Sequence, residues 1–171
     1  LSHPEWPNFS PVLALFLLSG AHLRGFWSWS TPLCAILVTD LIINPSYGVS
    51  LLEPFMLITV LSYLLVFLIG KKISGTRSLA RLVGGGILGA LLFHFLTCGF
   101  AWCINPAYAK SFNGLIQALT IGQPGFPPAY LFLRNTMVST IIFTAVLGWI
   151  ALRLKEPVSP TTGKASTAST S

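Results

Sequence analysis

Residues 81–104 read RLVGGGILGALLFHFLTCGFAWCI, with a single charged side chain, Arg81, at the first position. About 20 apolar residues are enough for a helix to cross a bilayer, and a helix satisfies its own backbone hydrogen bonds in lipid. The stretch therefore predicts a transmembrane helix. The chain of 171 residues is 53% hydrophobic and 8% charged throughout, whereas a soluble domain is about 25% charged. This composition predicts an all-α integral membrane protein.

Four other apolar segments extend the prediction to a bundle of five transmembrane helices. The predicted spans cover residues 11–27, 31–46, 52–70, 81–104 and 128–152. Residues 105–127 hold only a short apolar run, Phe112–Ile121, between prolines. That run is too short to cross a bilayer. It predicts an interfacial or re-entrant helix, or a folded lid.

The two ends of the chain differ from this bundle. Residues 1–10 are predicted to be an extracytoplasmic segment, and residues 11–155 the transmembrane domain. Residues 156–171 are small and polar, and a segment with nothing to bury is predicted to be disordered. Because the first residue is Leu1 and not methionine, we expect a further segment upstream, either a cleaved leader or a first helix.

Basic residues give the predicted orientation. The loop between the third and fourth spans carries Lys71, Lys72, Arg77 and Arg81, and loops rich in lysine and arginine stay in the cytoplasm. Five spans then place residues 105–127 outside and the C-terminus inside. The net charge of +6 is accounted for by topology and by contacts with lipid headgroups, so no nucleic-acid partner is expected.

Several polar side chains interrupt the predicted spans. Asp40 lies inside the second span, His94 in the outer half of the fourth, and Arg134 and Asn135 near the start of the last. A charged side chain inside a membrane costs several kcal/mol unless it is paired or hydrated. Asp40 and Arg134 are either a structural ion pair or ligand contacts. His94 is either a hydrogen-bonded interior histidine or a ligand or metal contact.

Other motifs are weaker or absent. Gly85 and Gly89 have the GxxxG spacing of close helix packing. The three cysteines, Cys34, Cys98 and Cys103, show no metal-binding spacing, and no metal site is predicted. The sequence contains no GxSxG, HExxH or phosphate-binding loop motif. We therefore expect a protein that is not an enzyme.

The residues also carry a resemblance to known membrane proteins. The run Pro7-Asn8-Phe9-Ser10-Pro11-Val12, followed by Ser19-Gly20-Ala21, resembles the opening of a bacterial membrane family of unknown function. That family is similar to the substrate-binding S components of energy-coupling factor (ECF) vitamin transporters and to the solitary BtuM-like cobalamin transporters. The similarity extends over most of residues 3–152, through Thr39-Asp40, Tyr47, Thr97, Trp102, Phe132 and Arg134-Asn135-Thr136.

The resemblance implies a fold of six helices, the first of which would lie upstream of Leu1. It implies location in the bacterial inner membrane, with a cytoplasmic C-terminus, and uptake of a vitamin or related nutrient. The outward segments would then close over the ligand. The predicted ligand-binding residues are Asn8, Asp40, Tyr47, Glu53, His94, Arg134 and Asn135.

The sequence departs from the pattern at three positions. BtuM-like proteins use a cysteine as an axial cobalt ligand near the position of Glu53, so cobalt binding through a thiolate is not expected here. Cys98 stands where the family has asparagine, and Thr140 where it has an acid. The ligand, any cofactor and the energy source therefore stay open.

Two functions follow from these observations. The first is an uptake module that binds a small molecule and works alone or with an energising partner. The second is a structural subunit of a larger membrane assembly, in which His22 or His94 contacts a pigment or haem. A cavity on the outer side, walled by Asp40 and Arg134, would favour the first. A solid interior with a large apolar contact face would favour the second.

Overall fold

The computed structural model describes residues 7–47 and 54–154, without the side chains of Ala35, residues 38–47 and Pro54. Over these residues the chain forms six α-helices and no β-strand. The helices are α1 (Val12–His22), α2 (Phe26–Tyr47), α3 (Pro54–Lys72), α4 (Leu79–Ile104), α5 (Phe112–Thr120) and α6 (Ala129–Leu154).

Three of these helices are long and apolar enough to cross a membrane. The stretches that meet this criterion are Phe55–Lys72 in α3, Leu79–Ile104 in α4 and Ala129–Leu154 in α6. Large apolar side chains on these helices are exposed, and Leu57 on α3 is 76% exposed. A helix of this length with an apolar exterior is stable in lipid. The chain is therefore an all-helical membrane protein.

The first two helices differ from the predicted spans. α1 ends at His22 and α2 begins at Phe26, where the sequence predicted one span over 11–27 and the next from 31. The chain turns at Gly25, whose φ of +57° costs glycine no steric strain. The prediction was wrong here because Phe26 and Trp27 continue the apolar run across the turn.

The other predicted segments agree more closely with the structure. α3, α4 and α6 overlap the predicted spans 52–70, 81–104 and 128–152. α5 occupies the short apolar run predicted within 105–127.

α1 lies at the centre of the bundle and contacts α2, α3, α4 and α6. Eight of its 11 residues are buried, and Leu17 joins Phe16 and Val66 in the main core cluster. Eleven residues of helix extend only about 16 Å, roughly half of the hydrocarbon thickness of a bilayer. α1 is therefore a short helix enclosed by longer ones.

The depth at which α1 begins follows from its neighbours. Val12, at its start, lines a small cavity of about 40 Å³ together with Tyr63 and Phe93. These two residues lie near the middle of α3 and α4, respectively. α1 thus begins level with the middle of α3 and α4. It ends level with Lys71, because Gly20 contacts the backbone there.

The closest helix packing in the described residues is the parallel crossing of α1 and α3. A methyl group at Gly20 would overlap the Phe67 carbonyl oxygen, and one at Gly70 would overlap the Leu17 carbonyl oxygen. Both glycines are buried. Small residues at an interface let two backbones approach closely. Gly20 and Gly70 together set the distance between the two helices.

The glycine face of α4 packs inside the fold less tightly. A methyl group at Gly85 would lie 3.0 Å from the Ile73 side chain, and one at Gly89 would lie 3.1 Å from Val66. Gly86, between them, faces Thr140 and meets its methyl group at 3.0 Å. These contacts involve side chains that can shift. The glycine motif singled out from the sequence is therefore not where the backbones approach most closely.

We expect Gly70→Ala to destabilise the protein, because the added methyl overlaps backbone that cannot move aside. Overpacking of a well-packed interior costs about 1–3 kcal/mol or more. The measurement is thermal unfolding in detergent. Gly84→Ala is the matched control, since nothing lies within 4 Å of the methyl group that this substitution adds. Equal melting temperatures for the two variants would contradict the proposed importance of the crossing.

Candidate functional site

A cavity of about 480 Å³ opens at the end of the bundle where α3 begins and α4 ends. We refer to this end as the cavity end. The walls come from α3, α4 and α6, and the α5 segment closes one side. The lining residues are Asn8, Phe55, Thr59, Tyr63, Phe93, His94, Thr97, Cys98, Ala101, Tyr108, Ala118, Gly122, Gln123, Phe126, Pro127, Ala129, Phe132 and Thr136.

Aromatic rings form much of this wall. Tyr63 and Phe93 are stacked, with ring centroids 5.4 Å apart and planes 18° apart. Phe16 of α1 stacks on the other side of Tyr63, at 5.0 Å and 9°. The three rings join α1, α3 and α4 across the bundle. Such pairs contribute about 0.5–1.5 kcal/mol each beyond the area they bury, so this wall is rigid.

His94 connects the cavity wall to α5. It is 8% exposed, and its Nε2 lies 2.9 Å from the Leu119 carbonyl oxygen. A carbonyl only accepts hydrogen bonds, so Nε2 carries the proton. In the neutral ring Nδ1 is then an acceptor. His94 therefore holds α5 in place and retains one nitrogen that can accept a hydrogen bond.

Cys98 lies one helical turn after His94 and lines the same cavity. Its Sγ is 3.7 Å from Nδ1 and 3.9 Å from Nε2 of His94. Nearly equal distances to the two ring nitrogens place the sulfur over the ring face, not on the lone pair of Nδ1. The pair is therefore not arranged to chelate a metal. In the described residues no three histidine, cysteine or acidic side chains cluster as metal ligands.

Hydrogen bonds fix the loop between α4 and α5 that covers the cavity. Trp102 Nε1 donates to the Ala109 carbonyl at 2.9 Å. Lys110 Nζ donates to the Asn105 carbonyl at 2.7 Å and to the Trp102 carbonyl. Burial, with a smaller contribution from Cys98, raises the pKa of the Tyr108 phenol. The Tyr108 hydroxyl thus stays protonated at neutral pH and can donate a hydrogen bond.

The segment before α1 is bound to α6. Asn135 is fully buried, and its Nδ2 donates to the Pro7 carbonyl at 3.1 Å. Asn8 has a φ of +60°, a left-handed conformation that asparagine tolerates better than most residues. The turn brings Asn8 to the cavity wall. The asparagine-containing run singled out from the sequence thus contributes to the site.

A comparison with protein families matches residues 1–160 to the model of DUF6580, a family of unknown function. The chain belongs to this family. No curated protein and no solved structure matches it. This match agrees with the predicted resemblance to a family of unknown function, and it shows no link to ECF or BtuM-like transporters.

The structure brings together two of the site residues predicted for this DUF6580 protein, Asn8 and His94. Asn135 is not among the described lining residues; it binds the Pro7 carbonyl next to Asn8 and accepts a hydrogen bond from Arg134 Nε at 3.2 Å. Arg134 is exposed and is not among the described residues that line the cavity.

Three predicted residues lie outside what the structure describes. Asp40 and Tyr47 are in α2, but their side chains are not described, and Glu53 is outside the described residues. Asp40 follows Phe26 by about 21 Å of helix at 1.5 Å per residue. Its backbone is therefore nearer the cavity end of α2 than the opposite end.

Sequence reasoning missed most of the cavity wall in this DUF6580 protein. Tyr63 and Phe93, for example, were counted only as ordinary apolar residues of the predicted spans. Aromatic residues in a membrane helix face lipid or interior with equal ease, so composition alone does not separate them. His94 was a usable signal for part of the wall, because a polar residue in a membrane helix faces the protein interior. Thr97 and Cys98 follow it by three and four residues, so they lie on the same face of the helix.

We expect His94→Phe to loosen α5 while keeping the volume of the ring. The substitution leaves the Leu119 carbonyl without its donor, which costs about 1–3 kcal/mol. Hydrogen exchange of the amides in Phe112–Thr120 should therefore become faster. Phe95→Leu, at an exposed neighbouring position, is the control. Unchanged exchange in His94→Phe would show that α5 is held by other contacts.

Proposed function

We propose that the protein is an S-component-like membrane protein that binds a small molecule in the cavity at its extracytoplasmic end, for uptake. The observation that carries this proposal is the cavity itself. Its volume of about 480 Å³ lies within the range of pockets for small organic ligands, about 300–1,000 Å³. A structural subunit would have no need for a space of this size in its interior.

The chemistry of the wall favours a small, planar and largely uncharged ligand. Phe55, Tyr63, Phe93, Phe126 and Phe132 present aromatic surfaces on several sides. Lysine, arginine and acidic side chains are missing from the described lining. Moving a charged ligand into a low-dielectric site without a side chain of opposite charge costs free energy. A heteroaromatic ring that stacks on the aromatic wall would avoid that cost.

A few polar groups could orient such a ligand. Nδ1 of His94 can accept a hydrogen bond, and the Tyr108 hydroxyl can donate one. The side chains of Asn8 and Gln123 border the same space. Few polar groups on a mostly apolar wall are typical of small-molecule sites. Asp40, Tyr47, Glu53, Arg134 and Asn135 complete the proposed set of ligand-binding residues.

The proposed topology has five crossings, by α1, α2, α3, α4 and α6, with α5 at the outer interface. The loop with Lys71, Lys72, Arg77 and Arg81 lies in the cytoplasm, as the positive-inside rule requires. The cavity end is then extracytoplasmic and the C-terminus cytoplasmic, in the bacterial inner membrane. The first crossing combines the short α1 with the segment before it, in which Asn135 binds the Pro7 carbonyl.

Transport would use either an energising partner module or a movement of the protein alone. This assignment follows the resemblance, drawn from the sequence over most of residues 3–152, to a family similar to S components and BtuM-like proteins. We do not propose an enzymatic activity. The alternative is a structural subunit of a membrane assembly, possible because exposed aromatic residues such as Trp27 and Trp149 could contact other subunits.

Native mass spectrometry of the full-length protein, purified gently from its own host membrane, distinguishes the two functions. We expect a bound small molecule that is lost in Asp40→Asn, because an intramembrane carboxylate is costly to keep without a function. The mass of that molecule would give its class. Stable co-purifying membrane subunits without a small molecule would support the structural alternative.

A second experiment tests the cavity directly. Ala101→Phe should fill part of it and weaken ligand binding at least about tenfold, since loss of one good contact of about 1.4 kcal/mol has that effect. Ala80→Phe, at an exposed position on the same helix, is the matched control. Binding that is the same in both variants would place the ligand elsewhere.

A further inference from the structure

A second concave site lies at the opposite end of the bundle, in the turn between α3 and α4. It has a volume of about 440 Å³ and is lined by Lys72, Ile73, Ser74, Gly75, Thr76 and Arg81. We refer to it as the basic pocket. It does not share a residue with the cavity, and the proposed function does not use it.

The turn that forms the basic pocket is held by its own hydrogen bonds. Ser74 N donates to the Lys71 carbonyl and Thr76 N to the Ile73 carbonyl, both at 3.2 Å. Gly75 has a φ of +80°, which permits the sharp reversal. These bonds fix the backbone between Lys72 and Arg81. The two cationic side chains therefore approach the same space from the end of α3 and the start of α4.

The charge around the pocket is strongly positive. Six of the eight described basic residues lie at this end, namely Arg24, Lys71, Lys72, Arg77, Arg81 and Arg153. The chain has four acidic residues, Glu5, Asp40, Glu53 and Glu156, and the described lining of the pocket contains none of them. This excess of basic over acidic residues gives the pocket a positive potential, which favours binding of an anionic ligand.

The position of the pocket favours a lipid over a free anion. It lies between α3 and α4, two helices long and apolar enough to cross a membrane, so its depth is that of the headgroups. Leu64 and Leu68 precede Lys72 by eight and four residues, which places all three on one face of α3. Both leucines are about half exposed, at 48% and 50%. An acyl chain can lie along these leucines while its headgroup occupies the pocket.

We propose that the basic pocket binds the phosphate group of an anionic phospholipid, such as phosphatidylglycerol or cardiolipin. The Lys72 ammonium and the Arg81 guanidinium contact the phosphate oxygens. Ser74 and Thr76 supply hydroxyl donors, and the first turn of α4 adds the positive end of a long helix. Basic pockets between transmembrane helices are suited to such headgroups.

The test is lipid binding to the delipidated full chain, measured by native mass spectrometry with added phosphatidylglycerol and, separately, phosphatidylcholine. The wild type should bind phosphatidylglycerol preferentially. The double variant Lys72→Gln/Arg81→Gln should lose about 10- to 30-fold in apparent affinity, from the contribution of two cations near a headgroup. Phosphatidylcholine binding should not change.

The matched control is Arg24→Gln/Arg153→Gln, which removes the same charge from the same end but outside the pocket. It should lose less than about threefold in affinity, since it leaves the contact itself intact. An equal loss of affinity in both double variants would mean that the lipid is held by diffuse electrostatic attraction, and it would overturn the proposal that the pocket binds it. If the pocket variant does not fold, Ser74→Glu, at an exposed loop position, puts a carboxylate there and should have the same effect.

A competition experiment separates a lipid from a free anion. Millimolar inorganic phosphate or glycerol phosphate should not displace bound phosphatidylglycerol, because neither can contact Leu64 and Leu68. Displacement by either compound would assign the pocket to a soluble phosphate and overturn the lipid proposal. Equal binding of phosphatidylglycerol and phosphatidylcholine by the wild type would also overturn it.

Discussion

The close crossing of α1 and α3 is the constraint on which the rest of the bundle depends. Gly20 and Gly70 lie against the backbone of the opposite helix, so neither position can accept a side chain. Lipid gives helices little hydrophobic reason to associate, and close packing between small residues replaces that force. Because α1 also contacts α2, α4 and α6, the position of this one short helix determines where the others can pack.

The half-length of α1 explains why the cavity lies where it does. α1 occupies the half of the bundle that lies next to the basic pocket. In the other half, towards the cavity end, the centre of the bundle is occupied by side chains and by the segment before Val12. Non-helical backbone at such depth is tolerated only when it is buried in protein. The Asn135 side chain satisfies the Pro7 carbonyl, and the stack of Phe16, Tyr63 and Phe93 forms the floor.

The sequence predicted the helical membrane class and the three longest helices because these depend on composition and length alone. It did not predict the break at Gly25, since apolar residues continue across it. Close helix packing was predicted at Gly85 and Gly89 from their spacing. The closest packing is at Gly20 and Gly70, which are far apart in the chain and come together only in the fold. Asn8 and His94 were among the site residues predicted from the sequence, and both border the cavity. The aromatic wall was not predictable, since aromatic side chains are stable facing either lipid or protein.

The two ends of the molecule differ in the charge of the residues around their pockets. At the cavity end the described wall is uncharged, and some of its polar atoms have backbone partners, as His94 Nε2 has in the Leu119 carbonyl. At the basic end, Lys71 and Arg153 lie over the rings of Phe67 and Trp149 at 5.4 and 5.5 Å. These cations keep their charged groups near the water boundary while their stems cover apolar surface. In the proposed topology, cations of this kind anchor the basic end of the bundle at the level of the lipid headgroups.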